Sequence, residues 1–540
     1  MKISLAKIFV FCSFWVILSS ASSHEDFVQC LTRFSPNTNS ITKQIYTPQN
    51  SSYTSVLESS INNLRFAGSS TPKPLVIVTP TEESQVQAVI YCAKKHHIQM
   101  RIRGGGHDYE GLSYVSKAPF VVLDMVRYNK IDVDHEAATA WVQSGATLGE
   151  LYYSIAQKSS TLGFPGGFWY TVGVTGLIGG GGYGNLRRKY GLAADNVIDA
   201  RIVDVKGRIL DRNSMGEDLF WAIRGGGASS FGVILSWKLK LVSVPEIVTA
   251  IQLDRTIEQN GTEILHKWQS VAPKLPKDVE IRVIAATIWK NRPNPGARTV
   301  LTDDSVARNR AEKTILLRFS GYFLGGQEKL VSMMNKEFSE LGLTKEDCTE
   351  LSYIQSALRF SLLSTSESPE VLLNRTSFRI PFKAKSSYAE RPISRKGLEG
   401  IWTRLLEYDP GTTNFVFTSY GGRMNEIAES AIPFPHRAGT LFMIYMRVQT
   451  DGDAEKRIEW IRELYEYLTP YVTKNPRTSY VNYNDLDLGV NNEEGPTSYK
   501  RASVWGKKYF KNNFDRLVRV KSSVDPGNFF RHEQSIPPFS

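Results

Sequence analysis

Apolar and polar residues alternate along the first half of the chain in blocks that predict strands and helices in turn. The short apolar run Leu75–Thr79 is typical of a buried strand, and Val86–Lys95 carries apolar residues at helical spacing. The strand Val121–Asp124 and the helix Leu148–Gln157 repeat this pattern before the strand Val197–Val205. The alternation predicts an α+β fold whose ligand-binding loops lie where strands end.

Beyond residue 246 the pattern changes to longer strands and amphipathic helices. The predicted strands are Val279–Trp289, Thr314–Phe323 and Asn414–Tyr420, and the predicted helices are Gln327–Leu341 and Ala454–Leu468. The segment Asn291–Asp304 is rich in proline, glycine and asparagine and is predicted to be a surface loop. A chain of this length exceeds what one hydrophobic core usually supports, so two domains are expected.

One further predicted strand, Leu441–Gln449, indicates where a substrate could lie. Its period of two puts Met443, Tyr445 and Arg447 on one face, while the opposite face is wholly apolar. If the first face borders a pocket, the Arg447 guanidinium could polarise a carbonyl or phenolate of a substrate. The alternative is that Arg447 lies on an exposed strand face. Arg282, on an earlier predicted strand, is a further candidate substrate contact.

Residues 1–23 have the pattern of a secretory signal, because Lys2 and Lys7 precede the apolar run Ile8–Leu18 and small residues follow it. No other uncharged stretch is long enough to span a bilayer, so we expect an exported, soluble protein with no membrane partner. The net charge is +11, but lysines and arginines are scattered among acidic residues. This distribution argues against nucleic acid as a partner.

The cysteine content fits export through an oxidising compartment. Cys12 leaves with the predicted signal, and two of Cys30, Cys92 and Cys348 can form a disulfide while the third stays free or buried. The chain has no C-x-x-C pair, so no metal is expected. Candidate N-glycosylation sites are Asn50, Asn260 and Asn374.

Two glycine-rich segments carry the strongest candidate chemistry. Gly104–Gly106 is followed at once by His107, and Gly179–Gly182 forms a second glycine run. Consecutive glycines let backbone N–H groups converge on an anion such as a phosphate. Neither segment is a P-loop or an ordinary G-x-G-x-x-G fingerprint, which disfavours a P-loop nucleotidase or a standard Rossmann dehydrogenase. Two such loops, with a third at Arg224–Gly227, suggest a long ligand such as a dinucleotide.

Several long motifs carry a family resemblance across nearly the whole mature chain. They are Arg101–Tyr114, Tyr190–Asn196, Ser214–Gly227, Pro433–Arg437, Asn482–Gly489 and Asp525–Phe530. On these motifs the chain resembles the berberine bridge enzyme-like FAD-linked oxidoreductases of plants, a group that includes tetrahydrocannabinolic acid synthase and reticuline oxidase.

The resemblance implies a two-part FAD-binding domain of the vanillyl-alcohol oxidase/PCMH-like type and a substrate domain in which helices back an antiparallel sheet. We place the FAD-binding domain at residues 24–246 and the substrate domain at 247–475, and expect residues 476–540 to return to the FAD-binding domain. The resemblance also implies a Cys30–Cys92 disulfide, which would tether the amino-terminal segment to the cofactor domain.

For the cofactor, the resemblance implies FAD bonded through its 8α-methyl group to His107. The further residues expected to bind FAD are Arg103, Gly104, Gly105, Gly106, Asp108, Tyr109, Val172, Gly173, Gly180, Gly181, Gly182, Tyr183, Gly184 and Asn528. Val172 stands where this family controls oxygen access, and a valine there resembles the oxygen-permissive members.

The chain departs from the family at the second loop. Trp169 replaces a cysteine that commonly forms a second flavin bond, and Leu177 replaces a histidine. Indole is not a thiolate nucleophile, so we expect attachment through His107 alone. Trp169 either stacks near the flavin edge, where it would contact substrate, or fills volume.

The substrate side departs from the family as well. Met443 and Tyr445 stand where relatives often have a lysine and a glutamine or glutamate, so the usual acidic base is missing. Tyr483 falls where cannabinoid-forming members have their catalytic tyrosine. We predict that Arg447 lowers the pKa of Tyr483 so that it can act as a base. Tyr109, Tyr114 and Tyr183 could add aromatic pocket surface, although aromatic residues are also ordinary core.

These observations favour a secreted or vacuolar FAD oxidase or oxidative cyclase that acts as a monomer on a hydrophobic phenolic or alkaloid substrate. Hydride would pass to flavin N5, and dioxygen would reoxidise the flavin to give hydrogen peroxide. The alternative is a non-redox cycloaddition of the Diels–Alder type in the same pocket. A carbohydrate oxidase fits less well, because Met443, Leu177 and Trp169 suit an apolar substrate.

Overall fold

The structure is a computed structural model that describes residues 24–35, 38–290, 312–492, 495 and 497–539. The predicted signal (1–23) and the predicted loop Asn291–Asp304 lie outside the described residues. No described helix is both long enough and apolar enough to cross a membrane.

The α-helices alternate with strands through most of the described chain. In chain order they are α1 (24–34), α2 (Thr38–Thr42), α3 (Tyr53–Glu58), α4 (Glu83–Lys95), α5 (Leu148–Ala156), α6 (Val174–Gly179), α7 (Arg187–Tyr190), α8 (Arg212–Ile223), α9 (Gly261–Val271), α10 (Gln327–Glu337), α11 (Tyr353–Phe360), α12 (Arg395–Leu405), α13 (Ala454–Tyr467), α14 (Tyr499–Phe510) and α15 (Asn513–Val524).

The described strands pair into four sheets of four, five, two and seven strands. They are β1 (Ile45–Tyr46), β2 (Val76–Val78), β3 (Gln99–Arg103), β4 (Phe120–Asp124), β5 (Ile131–Asp134), β6 (Thr139–Gln143), β7 (Leu162–Gly163), β8 (Val197–Val203), β9 (Ile209–Leu210), β10 (Val233–Lys240), β11 (Val242–Ser243), β12 (Val248–Thr256), β13 (Val279–Trp289), β14 (Lys313–Phe323), β15 (Cys348–Leu351), β16 (Phe382–Ala389), β17 (Thr413–Ser419) and β18 (Phe442–Gln449).

Two sheets organise the first half of the chain. A four-stranded sheet in the order β1-β2-β4-β3 has parallel pairs β2–β4 and β3–β4, and a five-stranded antiparallel sheet has the order β5-β6-β10-β8-β9. The parallel strands β2 and β4 are fully buried, as expected for strands covered on both faces, whereas β3 is partly exposed at Gln99 and Ile102. The first glycine loop begins directly after β3, at the carboxyl end of a parallel strand.

The second half of the chain forms a seven-stranded antiparallel sheet in the order β15-β12-β14-β13-β17-β18-β16. One face is apolar and fully buried, with Phe417 and Ile444 in the same core as Trp268 of α9 and Ile401 of α12. The other face carries Tyr445 and is half-buried. The predicted α+β class and the sheet backed by helices are confirmed. The domain boundaries at 246 and 475 stay a prediction.

The predicted elements agree closely with those of the structure. The strand Val279–Trp289 is reproduced, and the predicted strand Val197–Val205 ends two residues early, at Val203. The predicted helix Gln327–Leu341 ends at Glu337, because the backbone leaves the helical region at Phe338 before a short 3₁₀ turn. The predicted Cys30–Cys92 disulfide is confirmed and joins α1 to α4, whereas Cys348 is free.

Buried ion pairs hold the last segment of the chain against both sheet systems. Arg101 of β3 pairs with Glu533. Lys383 of β16 pairs with both Glu110, in the first glycine-rich segment, and Asp485. A buried charge is tolerated only where partners of opposite charge compensate it, so these pairs fix the position of the segment that carries Tyr483.

Candidate active site

A cavity of 540 Å³ lies where the two glycine-rich segments, the seven-stranded sheet and the last segment of the chain meet. The predicted site residues that line it are Gly104, Gly105, Gly106, His107, Asp108, Tyr109, Trp169, Val172, Gly173, Gly180, Tyr183, Tyr445, Arg447 and Tyr483. Residues more than 370 positions apart in the chain therefore form one site.

The two glycine-rich segments touch each other through their backbones. A β-carbon on Gly105 would lie 2.4 Å from the backbone nitrogen of Gly173, and one on Gly173 would lie 2.6 Å from that of Gly105. No side chain fits at this distance, so glycine at both positions permits the contact. The contact closes one wall of the cavity.

His107 emerges from this wall beside Thr171. Its Nε2 lies 2.8 Å from Thr171 Oγ1, which donates in turn to Ser377 Oγ at 3.3 Å. Because the Thr171 hydroxyl donates to Ser377, it accepts from His107, so that Nε2 carries the proton and Nδ1 keeps a free lone pair. Burial lowers the pKa of His107 to about 4, and the Arg379 charge adds to the decrease. The imidazole is therefore neutral and able to act as a nucleophile at neutral pH.

Aromatic side chains form a further part of the cavity lining. The Tyr109 ring stacks on Tyr483 with centroids 5.1 Å apart, and Tyr445 lies 4.8 Å from Tyr483. Tyr480 packs edge-on against Tyr483 at 5.1 Å, and the hydroxyls of Tyr183 and Tyr483 share a short hydrogen bond. This tyrosine cluster presents flat apolar surface with hydroxyl groups at a few positions.

The prediction that Arg447 lowers the pKa of Tyr483 is wrong. Burial raises the pKa of Tyr483 well above 10, and the neighbouring Tyr183, Tyr109 and Tyr445 raise it further. The Arg447 charge acts instead on Tyr445 and Tyr109, whose pKa values are nevertheless raised by burial. In the free protein Tyr483 is therefore a hydrogen-bond donor and a poor base.

Two cations, Arg187 and Arg282, act on Tyr183, and the one that also interacts with Tyr483 is Arg282. Its charge favours ionisation of Tyr183 and is itself stabilised by both tyrosines, although burial lowers its pKa. The guanidinium lies 4.3 Å from the centre of the Phe168 ring, behind the cavity wall. Arg282 does not line the cavity and so supports the tyrosine cluster from behind.

Arg447 lines the cavity, which decides between its two predicted positions in favour of the pocket. Asp108 is the only carboxylate among the described lining residues, and it already accepts from the backbone N–H groups of Glu110 and Leu112 and from the Asn484 amide. The site therefore contains a cation without a dedicated acidic partner.

Several predicted site residues lie elsewhere. Arg103 is fully buried in an ion pair with Asp124 and bonds the carbonyls of Val56 and Leu57, so it supports the backbone below the site. Met443 is fully buried in the sheet core, and Tyr114 belongs to a separate core cluster with Tyr53 and Leu57.

The other predicted site residues that do not line the cavity are three glycines and Asn528. Gly181, Gly182 and Gly184 pack against protein atoms, and a β-carbon on Gly184 would lie 1.7 Å from the Gly166 carbonyl oxygen. These glycines permit close packing of the second segment and do not line the cavity. Asn528 has a left-handed backbone in a turn, also away from the lining.

Other lining residues gave no recognisable signal in the sequence. Phe378, Ile380 and Phe382 line the cavity from the segment that leads into β16, and Phe378 is 60% exposed. Ser113 and Ser144 also line it, and their buried hydroxyls have no hydrogen-bond partner among the described residues. Isolated serines and aromatics are too common for sequence reasoning to select. The tertiary fold alone brings them together.

Comparison with known proteins identifies the family. A family model described as an FAD binding domain matches residues 74–213, and one described as berberine and berberine-like matches residues 479–537. The chain is 50% identical over 532 residues to tetrahydroberberine oxidase of Berberis wilsoniae, covering 97% of this chain and 96% of that protein. The chain belongs to the berberine bridge enzyme-like family. The resemblance predicted from the motifs is confirmed.

Solved structures of family members share the fold. The structure of berberine bridge enzyme-like protein 28 from Arabidopsis thaliana has a TM-score of 0.86 and 44% identity, covering 96% of this chain and all of that one. Phl p 4, described as a grass pollen allergen with glucose dehydrogenase activity, has a TM-score of 0.86 and 41% identity over 95% of this chain and all of that one. An isoleucine-to-valine variant of Phl p 4 is described as a glucose oxidase.

The residues present fit FAD, the cofactor of this berberine bridge enzyme-like family. The glycine wall leaves backbone exposed to the cavity, where Gly104–Gly106 can approach an anionic ligand closely. The unpartnered hydroxyls of Ser113 and Ser144 are available to the ligand's polar groups. The neutral His107 adds a nucleophile at the same wall. The chain is an FAD-dependent oxidoreductase of this family.

The raised pKa of Tyr483 gives a testable consequence. Because the phenol stays protonated up to pH 10, replacing Tyr483 by Phe should remove no ionisation step below that pH in an ultraviolet difference titration. The same variant should lose about 10²-fold or more in turnover if the hydroxyl takes part in proton transfer. Loss of an ionisation step near neutral pH in Tyr483→Phe would show that Tyr483 is an activated base.

Proposed function

We propose that this chain is an oxidase or oxidative cyclase that acts on a hydrophobic phenolic or alkaloid substrate. The observation that carries the proposal is that a neutral His107 on a glycine wall and a tyrosine cluster line one cavity. When bound, FAD supplies the acceptor for the hydride that leaves the substrate. Dioxygen is the proposed final electron acceptor, and hydrogen peroxide the second product.

In this proposal His107 attaches the cofactor alone. Its hydrogen bond to Thr171 fixes the ring orientation, and Trp169 lines the cavity where relatives supply a cysteine. A covalent bond prevents loss of the cofactor after export, and an indole cannot form a second one.

The remaining proposed roles belong to the tyrosine cluster and Arg447. Tyr483, bonded to Tyr183 and stacked on Tyr109, orients a flat substrate and holds a proton at its hydroxyl oxygen. The Tyr445 ring packs edge-on against Tyr109, with centroids 6.3 Å apart. Arg447 polarises an oxygen of the substrate.

Val172 lines the cavity beside the contact between the two glycine segments. We propose that it admits dioxygen. The support is the pair of descriptions of Phl p 4, in which a protein with isoleucine replaced by valine is a glucose oxidase and the wild type is a glucose dehydrogenase. A smaller side chain leaves room for a diatomic gas near the reactive centre.

The second candidate function is a non-redox cycloaddition in the same pocket. It is favoured by the lack of a usable base, since Tyr483 is protonated and Asp108 already accepts three hydrogen bonds. In that reaction the Arg447 guanidinium would polarise one reactant, and no proton would need to be removed.

We also propose that the protein is an exported monomeric glycoprotein of the apoplast or vacuole, with residues 1–23 as its signal. The support is the Cys30–Cys92 disulfide, which is typical of oxidising compartments, and the exposure of Asn50, Asn260 and Asn374.

Anaerobic mixing with prenylated phenols or alkaloids tests the choice between the two functions. An oxidase should bleach its yellow colour as product forms, and colour should return when dioxygen is admitted. Val172→Ile should slow that return several-fold and leave anaerobic bleaching unchanged, because the larger side chain blocks gas and not substrate. Product formed without bleaching would contradict the oxidase and support the cyclase, and an equal return rate in Val172→Ile would contradict the role of Val172.

The attachment site is tested by denaturation. Acid precipitation of the wild type should leave yellow colour in the pellet, whereas His107→Ala should release all of its flavin to the supernatant. Trp169→Ala is the matched control and should keep colour in the pellet. Covalent flavin in His107→Ala would refute attachment through the imidazole.

A further inference from the structure

The sheet face that carries Tyr445 and Arg447 borders the cavity through these two side chains. Strand register places Ile284, Val416 and Tyr445 in one cross-strand row, and Asn414 and Arg447 in the next. Directly opposed residues project to the same side of a sheet, so these five side chains share one face. All five are half-buried, in contrast to the opposite face with its fully buried Phe417 and Ile444. The face is therefore a partly open platform with an apolar row beside a cation.

Arg447 differs from other arginines of the interior. Arg103, Arg187 and Arg437 each pair with a carboxylate, namely Asp124, Glu280 and Asp195. The side chains of Arg447 and Arg282 have no hydrogen bond or ion pair with any residue that the structure describes, and of these two only Arg447 lines the cavity. A half-buried cation without a counter-charge is costly, and an anion that enters the cavity would compensate it.

The residues around Arg447 supply further hydrogen-bond donors, and no carboxylate among the described residues is paired with it. Its charge acts on the hydroxyls of Tyr109 and Tyr445, whose rings pack edge-on with centroids 6.3 Å apart. Phenol groups beside a guanidinium are good donors to an oxyanion. The guanidinium lies 5.9 Å from the centre of the Phe382 ring, so apolar surface borders it on the other side. A group with a negative oxygen next to an apolar body matches this arrangement.

We infer that the substrate carries an oxyanion, a carboxylate or an ionised phenol, which Arg447 binds, and an apolar group that lies against Phe382 and the neighbouring lining residues Phe378 and Ile380. The inference rests on the proposed function and narrows it: of the two substrate classes, the acidic phenols fit and the protonated amines of alkaloids do not. A cationic amine would add a second positive charge beside Arg447 with no acid to separate them. The substrate of this chain would thus differ in charge from the alkaloid that the name of its relative tetrahydroberberine oxidase suggests for that protein.

The experiment compares three probes that differ in charge and share an apolar tail. Calorimetric titration of the flavin-loaded protein with 4-octylbenzoate, its neutral amide and 4-octylbenzylamine should give affinities in that order. The benzoate should bind about tenfold or more tightly than the amide, as expected for a charge-assisted hydrogen bond. Arg447→Met should remove that preference and leave the affinity for the amide unchanged within about twofold. Arg447→Lys should restore part of the preference, because the charge returns without the fork geometry.

Arg519→Met, an exposed position on α15, is the matched control and should behave as the wild type. Equal affinity for benzoate and amide in the wild type, or a preference for benzoate that survives in Arg447→Met, would overturn the inference. Tighter binding of the benzylamine would overturn it as well. Flavin content and anaerobic bleaching, measured on the same preparations, report separately on the proposed oxidase function, so that either idea can fail without the other.

Discussion

The active site depends on the contact between two backbone segments that only glycine allows. Gly105 and Gly173 approach so closely that a β-carbon on either would overlap the other's backbone nitrogen. This contact brings His107, two residues after Gly105, within hydrogen-bond distance of Thr171, two residues before Gly173. Trp169 and Val172 then line the same cavity as the histidine. One steric constraint thus positions both the nucleophile and the residues that decide what else can reach the cofactor.

Buried charges hold the other side of the cavity in register with this wall. Lys383 of the sheet bonds Glu110, which follows His107 by three residues, and Asp485, which follows Tyr483 by two. Lys385 adds a second pair to Asp485. Removing either charged side chain would leave its partner's charge uncompensated in the interior, so the pairs are costly to break. They couple the position of the tyrosine cluster to that of the glycine wall, although the two lie in different parts of the chain.

Much of the fold and part of the site could be predicted from the sequence. Apolar periodicity located strands such as Val279–Trp289, and the glycine runs with His107 located the cofactor wall, because both signals are local. Contacts between distant segments of the chain could not be predicted from these local signals. The sequence could not show that Met443 is buried in the sheet core, or that Arg282 rather than Arg447 is the cation beside Tyr483. The direction of the Tyr483 pKa shift depends on burial among other tyrosines, which no motif encodes.

The most direct measurement of the central claim is the flavin content of two alanine variants of glycines. A β-carbon on Gly105 would lie 2.4 Å from the Gly173 nitrogen and 2.8 Å from the Thr171 oxygen, whereas one on Gly527, away from the cavity, would have no neighbouring atom within 4 Å. If the backbone contact creates the site, Gly105→Ala should be purified nearly free of flavin while Gly527→Ala keeps it, with circular dichroism confirming that both are folded. Equal flavin content in the two folded variants would contradict the account.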